Sequence, residues 1–435
     1  MPTAWAIINH AMGASPTSTR LLQSRLQAAL GQAPVVVLSG SRQVGKSTLV
    51  QHEEIARGRR YLTLDHLPTL SRAQDSAELL ARDHARLTID EVQRAPHLML
   101  AVKHEVDTAK ATGAGVAGQF LLTGSANLLL ARTSGESLAG RAQYLTLRPF
   151  TPREQRGEAA QHDESSLPWS QLLTASTTAE ALQRVPARQS WNWRENLVLG
   201  GFPLATFAPN ARARVQWLDD YAATYLQRDL RDLAQIHDLG GFGRLMRLLA
   251  LRTGGLLNHA DLGRDAGLPR TTVQRWLSLL EASYLVTLLP PYFETRSKRL
   301  VRSPKIYPGD TALALHLAGV HEPEQLAELP RLGAWLEALV LNDLLVWSEL
   351  LTPKAQLYHY RTAGGAEIDF VVEHGRRLLP IEVKAATSVS RADAANLDAF
   401  CAENAERAPF AVLLYDGPAF QLTHNTLALP LQAML

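Results

Sequence analysis

The segment VVVLSGSRQVGKST, residues 35–48, decides the fold. Its apolar start predicts a buried strand, and the next residues match the pattern G-x-x-x-x-G-K-[ST] before a helical stretch. Glycines in such a loop let successive backbone N–H groups point at phosphate oxygens, while Lys46 reaches the terminal phosphates and the Ser47 hydroxyl holds Mg²⁺. The nucleotide-binding residues predicted from this loop are Gly40, Ser41, Arg42, Gln43, Val44, Gly45, Lys46, Ser47 and Thr48.

A second strand signal, LTIDE at residues 87–91, ends in two adjacent carboxylates. After a phosphate-binding loop, we expect Asp90 to bind Mg²⁺, mostly through water, and Glu91 to orient and polarise an attacking water. An acidic pair at a strand end is often only a cap, so this assignment depends on the loop that precedes it. Lys46 and Glu91 are accordingly candidate catalytic residues for nucleotide hydrolysis.

Two further features follow along the chain. FLLTGSAN, residues 120–127, predicts a strand that ends in small polar residues, where a Ser125 or Asn127 side chain is placed to sense a γ-phosphate. Arg141 lies after ESLAG, residues 136–140, and just before a further predicted strand.

The order of phosphate loop, acidic strand, polar strand and arginine resembles the AAA superfamily of ATPases. It is similar in particular to prokaryotic ATP-binding proteins that carry a winged helix and a nuclease-like carboxyl-terminal domain. The resemblance implies ATP and Mg²⁺ as cofactors, and a role for Arg141 at the nucleotide of a neighbouring subunit. That role requires a homo-oligomer, for which a hexameric ring is one arrangement; a surface or salt-bridging Arg141 is the alternative. Arg228 and Arg231 lie where the resemblance places a small helical subdomain, and either contact nucleotide or face solvent.

Around the loop, apolar strand-like runs alternate with helical stretches from residue 21 to about residue 150, the pattern of a parallel sheet wound with helices. Polar residues dominate 155–190 and predict a loop or an insertion, and residues 212–233 predict a helix. The predicted strands cover residues 35–38, 61–64, 86–89, 119–122 and 144–147.

A helix-turn-helix is predicted from LNHADLGRDAGLP, residues 257–269, and RTTVQRWLSLL, residues 270–280. Their apolar residues form two facing stripes, and residues 292–302 would add a basic wing before a returning strand at 305–307. This pattern favours DNA as partner, although many winged helices bind protein instead. The candidate DNA-binding residues are Arg270, Thr271, Thr272, Gln274, Arg275, Arg296, Lys298, Arg299 and Arg302.

In the last third, Asp369 and the triplet Glu382-x-Lys384 resemble the metal site of the PD-(D/E)xK nucleases. On a strand, residues 382 and 384 point to the same face. The resemblance implies that Asp369 and Glu382 hold Mg²⁺, that Lys384 helps to activate water and that Glu337 completes the metal site. A charged hairpin with an exposed glutamate and lysine would give much the same pattern, so cleavage of DNA stays open.

The predicted fold class is α/β, with a P-loop AAA-type parallel-sheet domain, a winged-helix domain and a carboxyl-terminal restriction-endonuclease-like α/β domain. For 435 residues, about three domains are expected from length alone. The predicted divisions are 19–150 for the ATPase core, 151–235 for an insertion and helical lid or linker, 236–318 for the winged helix and 325–435 for the nuclease-like domain.

The composition bears on the partners and the cellular compartment that can be expected for this protein. A formal charge of +2 gives no global argument for a polyanionic partner, so any basic surface must be local. The single cysteine, Cys401, cannot form an internal disulfide, and neither a secretory signal nor a long uncharged apolar run is present, so we expect a cytoplasmic protein without a membrane partner. The predicted function is Mg-ATP hydrolysis by an AAA-type ATPase that acts on or with DNA. An ATP-coupled DNA endonuclease and a slow nucleotide switch that times a DNA or protein complex are the alternatives.

Overall fold

The computed structural model describes residues 19–113, 115–124, 138–161, 163–224, 238–293 and 303–435. The amino-terminal part contains one five-stranded sheet. Its strands are β1 (Val35–Ser39), β2 (Arg60–Thr63), β3 (Leu87–Asp90), β4 (Phe120–Thr123) and β5 (Ala142–Thr146). All neighbouring pairs are parallel, in the order β2-β3-β4-β1-β5. Each strand begins and ends within two residues of its prediction, so the predicted parallel sheet is confirmed.

Helices cover both faces of this sheet. They are α1 (Leu22–Gln32), α2 (Lys46–Val50), α3 (Glu53–Ala56), α4 (Leu67–Asp75), α5 (Ala77–Ala81) and α6 (Leu98–Ala111). Successive valines of β1 point to opposite faces, because side chains alternate along a strand. Val36 belongs to the same apolar core as Leu26 of α1, and Val37 to the core that contains Val102 of α6. β1 is therefore buried over its whole length, as its unbroken apolar run predicts.

For residues 155–190 a loop or an insertion is predicted, and the loop alternative is wrong, because the segment contains helices that form one layer with those that follow it. Its helices are α7 (Pro152–Gln155), α8 (Pro168–Thr174), α9 (Thr178–Arg184), α10 (Trp193–Leu199), α11 (Pro203–Thr206) and α12 (Ala211–Tyr221). Polar residues cap the short helical turns: Asp163 accepts the Ser166 N–H, and Thr177 accepts the Glu180 N–H. The helix predicted to reach residue 233 is described only as far as residue 224, and Arg228 and Arg231 lie outside the described residues.

The middle of the chain is a small helical domain with a three-stranded antiparallel sheet in the order β6-β8-β7. Its elements are α13 (Leu239–Leu251), β6 (Gly255–Leu256), α14 (His259–Ala266), α15 (Arg270–Ala282), β7 (Val286–Leu289), β8 (Lys305–Pro308) and α16 (Thr311–Leu317). Gly267, with φ of +67°, ends α14 and allows the tight turn into α15. The rings of Phe242 and Trp276 meet edge to face at 5.3 Å and join α13 to α15.

The carboxyl-terminal part is a long helix followed by a mixed six-stranded sheet in the order β13-β14-β12-β11-β10-β9. Its elements are α17 (Leu332–Leu350), β9 (Gln356–Arg361), β10 (Glu367–His374), β11 (Arg377–Val383), α18 (Ala395–Glu403), β12 (Ala411–Tyr415), β13 (Phe420–Gln421), β14 (Thr426–Pro430) and α19 (Leu431–Met434). Leu341 of α17 shares one apolar core with Val36 of the first sheet and Phe370 of β10, so α17 joins the two sheets. No helix in the described ranges has the length and apolar character that a membrane span needs.

We expect Trp169→Ala to lower the free energy of unfolding by about 3–5 kcal/mol, because it empties a fully buried aromatic position. It also removes the indole N–H that donates to Asp343 Oδ2 at 2.7 Å. Urea unfolding followed by circular dichroism measures the change. Glu164→Ala, at an exposed position of the same segment, is the control, expected to cost less than about 0.5 kcal/mol. Equal losses in the two variants would contradict a packed helical layer.

Candidate functional site

The loop between β1 and α2 requires glycine at both of its motif positions. A Cβ atom at Gly40, where φ is +151°, would lie 2.2 Å from the Leu147 carbonyl oxygen. Gly45 has φ of +99°, a conformation that residues with a side chain rarely adopt. The backbone therefore curls between β1 and α2 in a way that the predicted phosphate-binding motif allows.

The Lys46 side chain is buried against this loop and is held by neutral groups. Its ammonium donates to the carbonyl oxygens of Gly40 at 3.1 Å and Ser41 at 2.9 Å. Burial lowers the pKa of Lys46, while the nearby carboxylates of Glu91 and Asp90 oppose that shift. A phosphate that entered the loop would offer this ammonium a charged acceptor in place of two backbone carbonyls.

Three hydroxyl groups converge on the buried carboxylate of Asp90. Ser47 Oγ and the Tyr61 hydroxyl each donate to Asp90 Oδ2 at 2.7 Å, and the Thr123 hydroxyl donates to Oδ1. The structure thus brings together Ser47 and Asp90, the two residues predicted to hold the Mg²⁺ of the nucleotide site. A serine hydroxyl and a carboxylate are oxygen ligands of the kind that Mg²⁺ prefers, so the residues at this edge of the sheet fit that ion.

Glu91 follows β3 in the left-handed conformation, with φ of +58°. Its carboxylate accepts a hydrogen bond from the Gln93 side-chain amide. Burial raises the pKa of Glu91, and the Lys46 ammonium partly counteracts that effect. The turn therefore places a half-buried carboxylate beside the nucleotide loop, where a water-polarising group is expected.

Several polar contacts at this edge were not predicted from the sequence. Thr123 and Tyr61 come from neighbouring strands, and only the strand-end position of Thr123 gave a signal. Two tyrosines from distant parts of the chain reach the loop: the Tyr221 hydroxyl donates to the Arg42 carbonyl at 3.3 Å, and the Tyr284 hydroxyl lies 2.8 Å from Ser39 Oγ. The predicted sensors, Ser125 and Asn127, lie outside the described residues.

Arg141 lies just before β5, at the edge of the sheet opposite the nucleotide loop. Its guanidinium makes two hydrogen bonds to the Asp107 carboxylate of α6, at 2.6 and 2.9 Å. The main chain places the Arg141 carbonyl against the Val35 N–H at the start of β1, whereas the loop follows the end of β1. Arg141 is therefore remote from its own subunit's nucleotide loop, and the salt-bridging role is the one that the contacts show.

The predicted DNA-binding residues divide into two groups. On α15, Arg270, Thr271, Gln274 and Arg275 are exposed and Thr272 is half-buried, on the side away from the buried Val273 and Trp276. The residues Arg296, Lys298, Arg299 and Arg302 of the predicted wing lie outside the described residues. The outward face of α15 therefore has the charge and polarity that contact with a phosphate backbone requires.

A second cluster of charged side chains forms where α17, β8 and β10 meet. The Lys305 ammonium lies 2.7 Å from Glu367 Oε1, 3.6 Å from Asp369 Oδ1 and 3.7 Å from Glu337 Oε2. Burial alone would lower the pKa of Lys305, but these carboxylates raise it. The structure thus brings Glu337 and Asp369 together, as predicted, with a lysine among them.

Other donors engage the same carboxylates. The Tyr307 hydroxyl donates to Glu337 Oε2 at 2.6 Å, and the Val383 N–H donates to Asp369 Oδ2 at 2.9 Å. Burial and the Asp369 charge raise the pKa of Glu337 to about 8, and burial raises the pKa of Asp369. The carboxylates are therefore held by protein donors in a poorly hydrated place.

Glu382 and Lys384 lie on one face at the end of β11, as their spacing predicts. The Lys384 ammonium donates to Glu382 Oε1 at 2.7 Å. Glu382 Oε2 is buried and accepts no hydrogen bond of ordinary geometry from the part of the chain that the structure describes, and burial raises the pKa of Glu382 to about 7. Within the described ranges, however, no group of three or more His, Cys, Asp or Glu residues is arranged to hold a metal ion.

Lys305 and Glu367 are cluster residues that the sequence analysis missed. Lys305 was predicted only as part of a returning strand. The available signal was a charged residue in KIYP, residues 305–308, which is otherwise apolar apart from a tyrosine hydroxyl. A lysine on such a buried strand needs a carboxylate partner, because an isolated buried charge is very costly.

Three family models match the chain. One described as "AAA domain" covers residues 32–155. Two others, each described as a domain of unknown function, are DUF8612 over residues 190–324 and DUF4143 over residues 332–434.

Two mycobacterial proteins match most of the chain. They are the uncharacterized protein Rv2008c of Mycobacterium tuberculosis and the uncharacterized protein Mb2031c of Mycobacterium bovis. Each is 32% identical over 367 residues, which is 84% of this chain and 74% of the relative. Among solved structures, the Walker-type ATPase paby2304 of Pyrococcus abyssi is similar over 69% of this chain and 95% of its own, at 15% identity and a TM-score of 0.42.

Proposed function

Because the chain belongs to the same family as the uncharacterized protein Rv2008c of Mycobacterium tuberculosis, and its amino-terminal domain is a P-loop AAA ATPase domain, we propose that it binds and hydrolyses Mg-ATP and acts with DNA. The observation that carries the proposal is the 2.7 Å contact between Ser47 Oγ and Asp90 Oδ2 next to the buried Lys46 ammonium. This places two oxygen ligands and one cation at the end of a glycine loop, where the phosphates of a nucleotide would lie.

The protein groups have separate roles in this proposal. Ser47 and Asp90 would hold Mg²⁺, which neutralises charge on the phosphates when bound. Lys46 exchanges its bonds to the Gly40 and Ser41 carbonyls for phosphate oxygens. Glu91 orients and polarises the attacking water, for which its carboxylate must be ionised, and Lys46 favours that ionised form.

The proposed partner of the middle domain is DNA. The order α13, β6, α14, α15, β7, β8 is compatible with a winged helix, and α15 presents Arg270, Gln274 and Arg275 outward, which supports this proposal. Tyr284, which follows α15, has its hydroxyl 2.8 Å from Ser39 at the end of β1. This contact supports a link between the nucleotide loop and the DNA-facing helix.

We keep the predicted domain divisions as part of the proposal. In this proposal residues 19–150 are the ATPase core, 151–235 an insertion and helical lid or linker, 236–318 the winged helix and 325–435 a nuclease-like domain. The order α17, β9, β10, β11, with Asp369 on β10 and Glu382 before the end of β11, supports the last assignment. DNA cleavage is not part of the proposed function, because a lysine lies among the carboxylates.

Two substitutions separate nucleotide binding from hydrolysis. We expect Lys46→Ala to weaken ATP binding, because the ammonium that would contact the phosphates is lost. Glu91→Gln should keep ATP binding and lower hydrolysis by about 10²- to 10⁴-fold, the usual effect of a positioned base. Binding is measured with a fluorescent ATP analogue and turnover by phosphate release. Glu78→Gln, at an exposed site on α5, is the control, and wild-type turnover by the Glu91→Gln protein would remove Glu91 from the mechanism.

The two possible roles of Arg141 predict different effects on ATP turnover when either member of the Arg141–Asp107 ion pair is replaced. If Arg141 acts on a neighbouring subunit's nucleotide, Arg141→Ala should slow turnover, while Asp107→Asn, which leaves the arginine in place, should not. Mixing Arg141→Ala protein with Lys46→Ala protein should then restore part of the turnover, because each supplies what the other lacks. Equal turnover of Arg141→Ala, Asp107→Asn and wild type, measured by phosphate release, would leave Arg141 as a salt-bridging residue only.

DNA binding should depend strongly on salt. If Arg275 and the four basic residues of the predicted wing neutralise about five phosphates, affinity should fall roughly 500-fold between about 50 and 200 mM salt. Arg275→Ala should lower the slope of log affinity against log salt by about 1, and Arg57→Ala, on the ATPase domain, should leave it unchanged. Fluorescence anisotropy with labelled duplex DNA measures both. A flat salt response would favour a protein-binding winged helix.

A further inference from the structure

The carboxylate cluster of the carboxyl-terminal domain contains a cation supplied by another domain. Lys305 lies on β8 of the small sheet, whereas Glu367 and Asp369 lie on β10 and Glu337 on α17. Lys305 is only 3% exposed, so its ammonium is inside the cluster and not at its rim. Its distances to the nearest carboxylate oxygens are 2.7, 3.6 and 3.7 Å.

This arrangement does not fit a divalent metal ion. Such an ion needs carboxylate oxygens at about 2.0–2.6 Å, converging on the point where the Lys305 ammonium lies. Two cations in one small buried space would repel each other strongly. Of the other oxygens, Glu337 Oε2 also accepts the Tyr307 hydroxyl, and Asp369 Oδ2 accepts the Val383 N–H.

The Glu382 carboxylate, near the cluster, has one oxygen that the contacts described above do not use. Among the described residues, Glu382 Oε1 accepts from the Lys384 ammonium, whereas the buried Oε2 accepts no hydrogen bond of ordinary geometry. A buried carboxylate oxygen without a donor is costly, and it is a ligand that a cation would use if there were room for one. The cluster therefore has one unused ligand, and its centre is filled by Lys305.

We propose that Lys305 is the resident cation of this cluster, and that the carboxylates bind a divalent cation only when the Lys305 ammonium is absent from it. The inference is independent of the proposed ATP hydrolysis, because it concerns only β8, α17, β10 and β11. In the wild-type protein the cluster is then a salt-bridge network between two domains. The ammonium of the middle domain is paired with carboxylates of the carboxyl-terminal domain.

The test is Mn²⁺ binding to the whole 435-residue chain in the absence of nucleotide. Free Mn²⁺ is measured by electron paramagnetic resonance at total concentrations up to about 1 mM. Wild type and Asp369→Asn should bind the same amount of Mn²⁺, because the wild-type cluster holds none. Lys305→Ala should bind one additional Mn²⁺ per chain. Adding Asp369→Asn to Lys305→Ala should weaken that additional site by about 10- to 100-fold.

Lys354→Ala is the matched control, because Lys354 is paired with the buried Glu349 at 2.6 Å outside the cluster. It should bind Mn²⁺ as the wild type does. Circular dichroism checks that each variant is folded, and Lys305→Gln replaces Lys305→Ala if the latter is not. Wild-type binding that Asp369→Asn abolishes would overturn the proposal, and so would a folded Lys305 variant that gains no site. If neither Lys305 variant folds, the comparison of wild type with Asp369→Asn decides.

Discussion

The structure depends on the hydrogen bonds that acidic side chains of α17 receive. This helix has apolar side chains on every side, and Glu337, Asp343 and Glu349 lie among them. A buried carboxylate needs hydrogen-bond donors, because leaving one unpaired costs several kcal/mol. Each of three acids on α17 obtains its donor from a different part of the chain. The contacts are Tyr307 to Glu337 at 2.6 Å, Trp169 to Asp343 at 2.7 Å and the Thr146 N–H to Glu349 at 2.8 Å. One helix thereby fixes the small sheet, the helical layer and the parallel sheet relative to the carboxyl-terminal domain.

Two buried lysines show why one site is ready for a ligand and the other is not. Lys46 donates to neutral carbonyls of its own loop, and burial lowers its pKa. Lys305 is surrounded by carboxylates, which raise its pKa despite burial. An anionic ligand improves the surroundings of the first ammonium, because it offers a charged hydrogen-bond acceptor in place of two neutral carbonyls. The second ammonium already has its counter-charges, so an anion gains nothing there and a metal ion must compete with it.

Features that depend on residues close together in the sequence could be predicted from it. The apolar run of residues 35–38, followed by glycine and lysine, predicted the first strand and its loop correctly. Both faces of β1 are buried, and Gly40 and Gly45 have conformations that favour glycine. The polar composition of residues 155–190 did not reveal the short helices α8 and α9, because polar residues such as Asp163 and Thr177 cap the turns while Trp169 is buried. Lys305 was missed for a related reason: its partners are on α17 and β10, and no local spacing connects them.

Two tyrosine contacts connect the nucleotide loop to parts of the chain outside the parallel-sheet domain. Tyr284 stands between α15 and β7 with φ of +59°, and its hydroxyl meets Ser39, the residue before Gly40. The Tyr221 hydroxyl meets the Arg42 carbonyl within the same loop. In the proposed function Lys46 exchanges the Gly40 and Ser41 carbonyls for a phosphate, so those carbonyls then need another donor, from water or from a shifted loop backbone. The Tyr221 hydroxyl contacts the loop backbone and the Tyr284 hydroxyl contacts the Ser39 side chain beside it, so in the proposed function a shift of the loop would reach Tyr284, which follows α15, the helix that presents arginines outward.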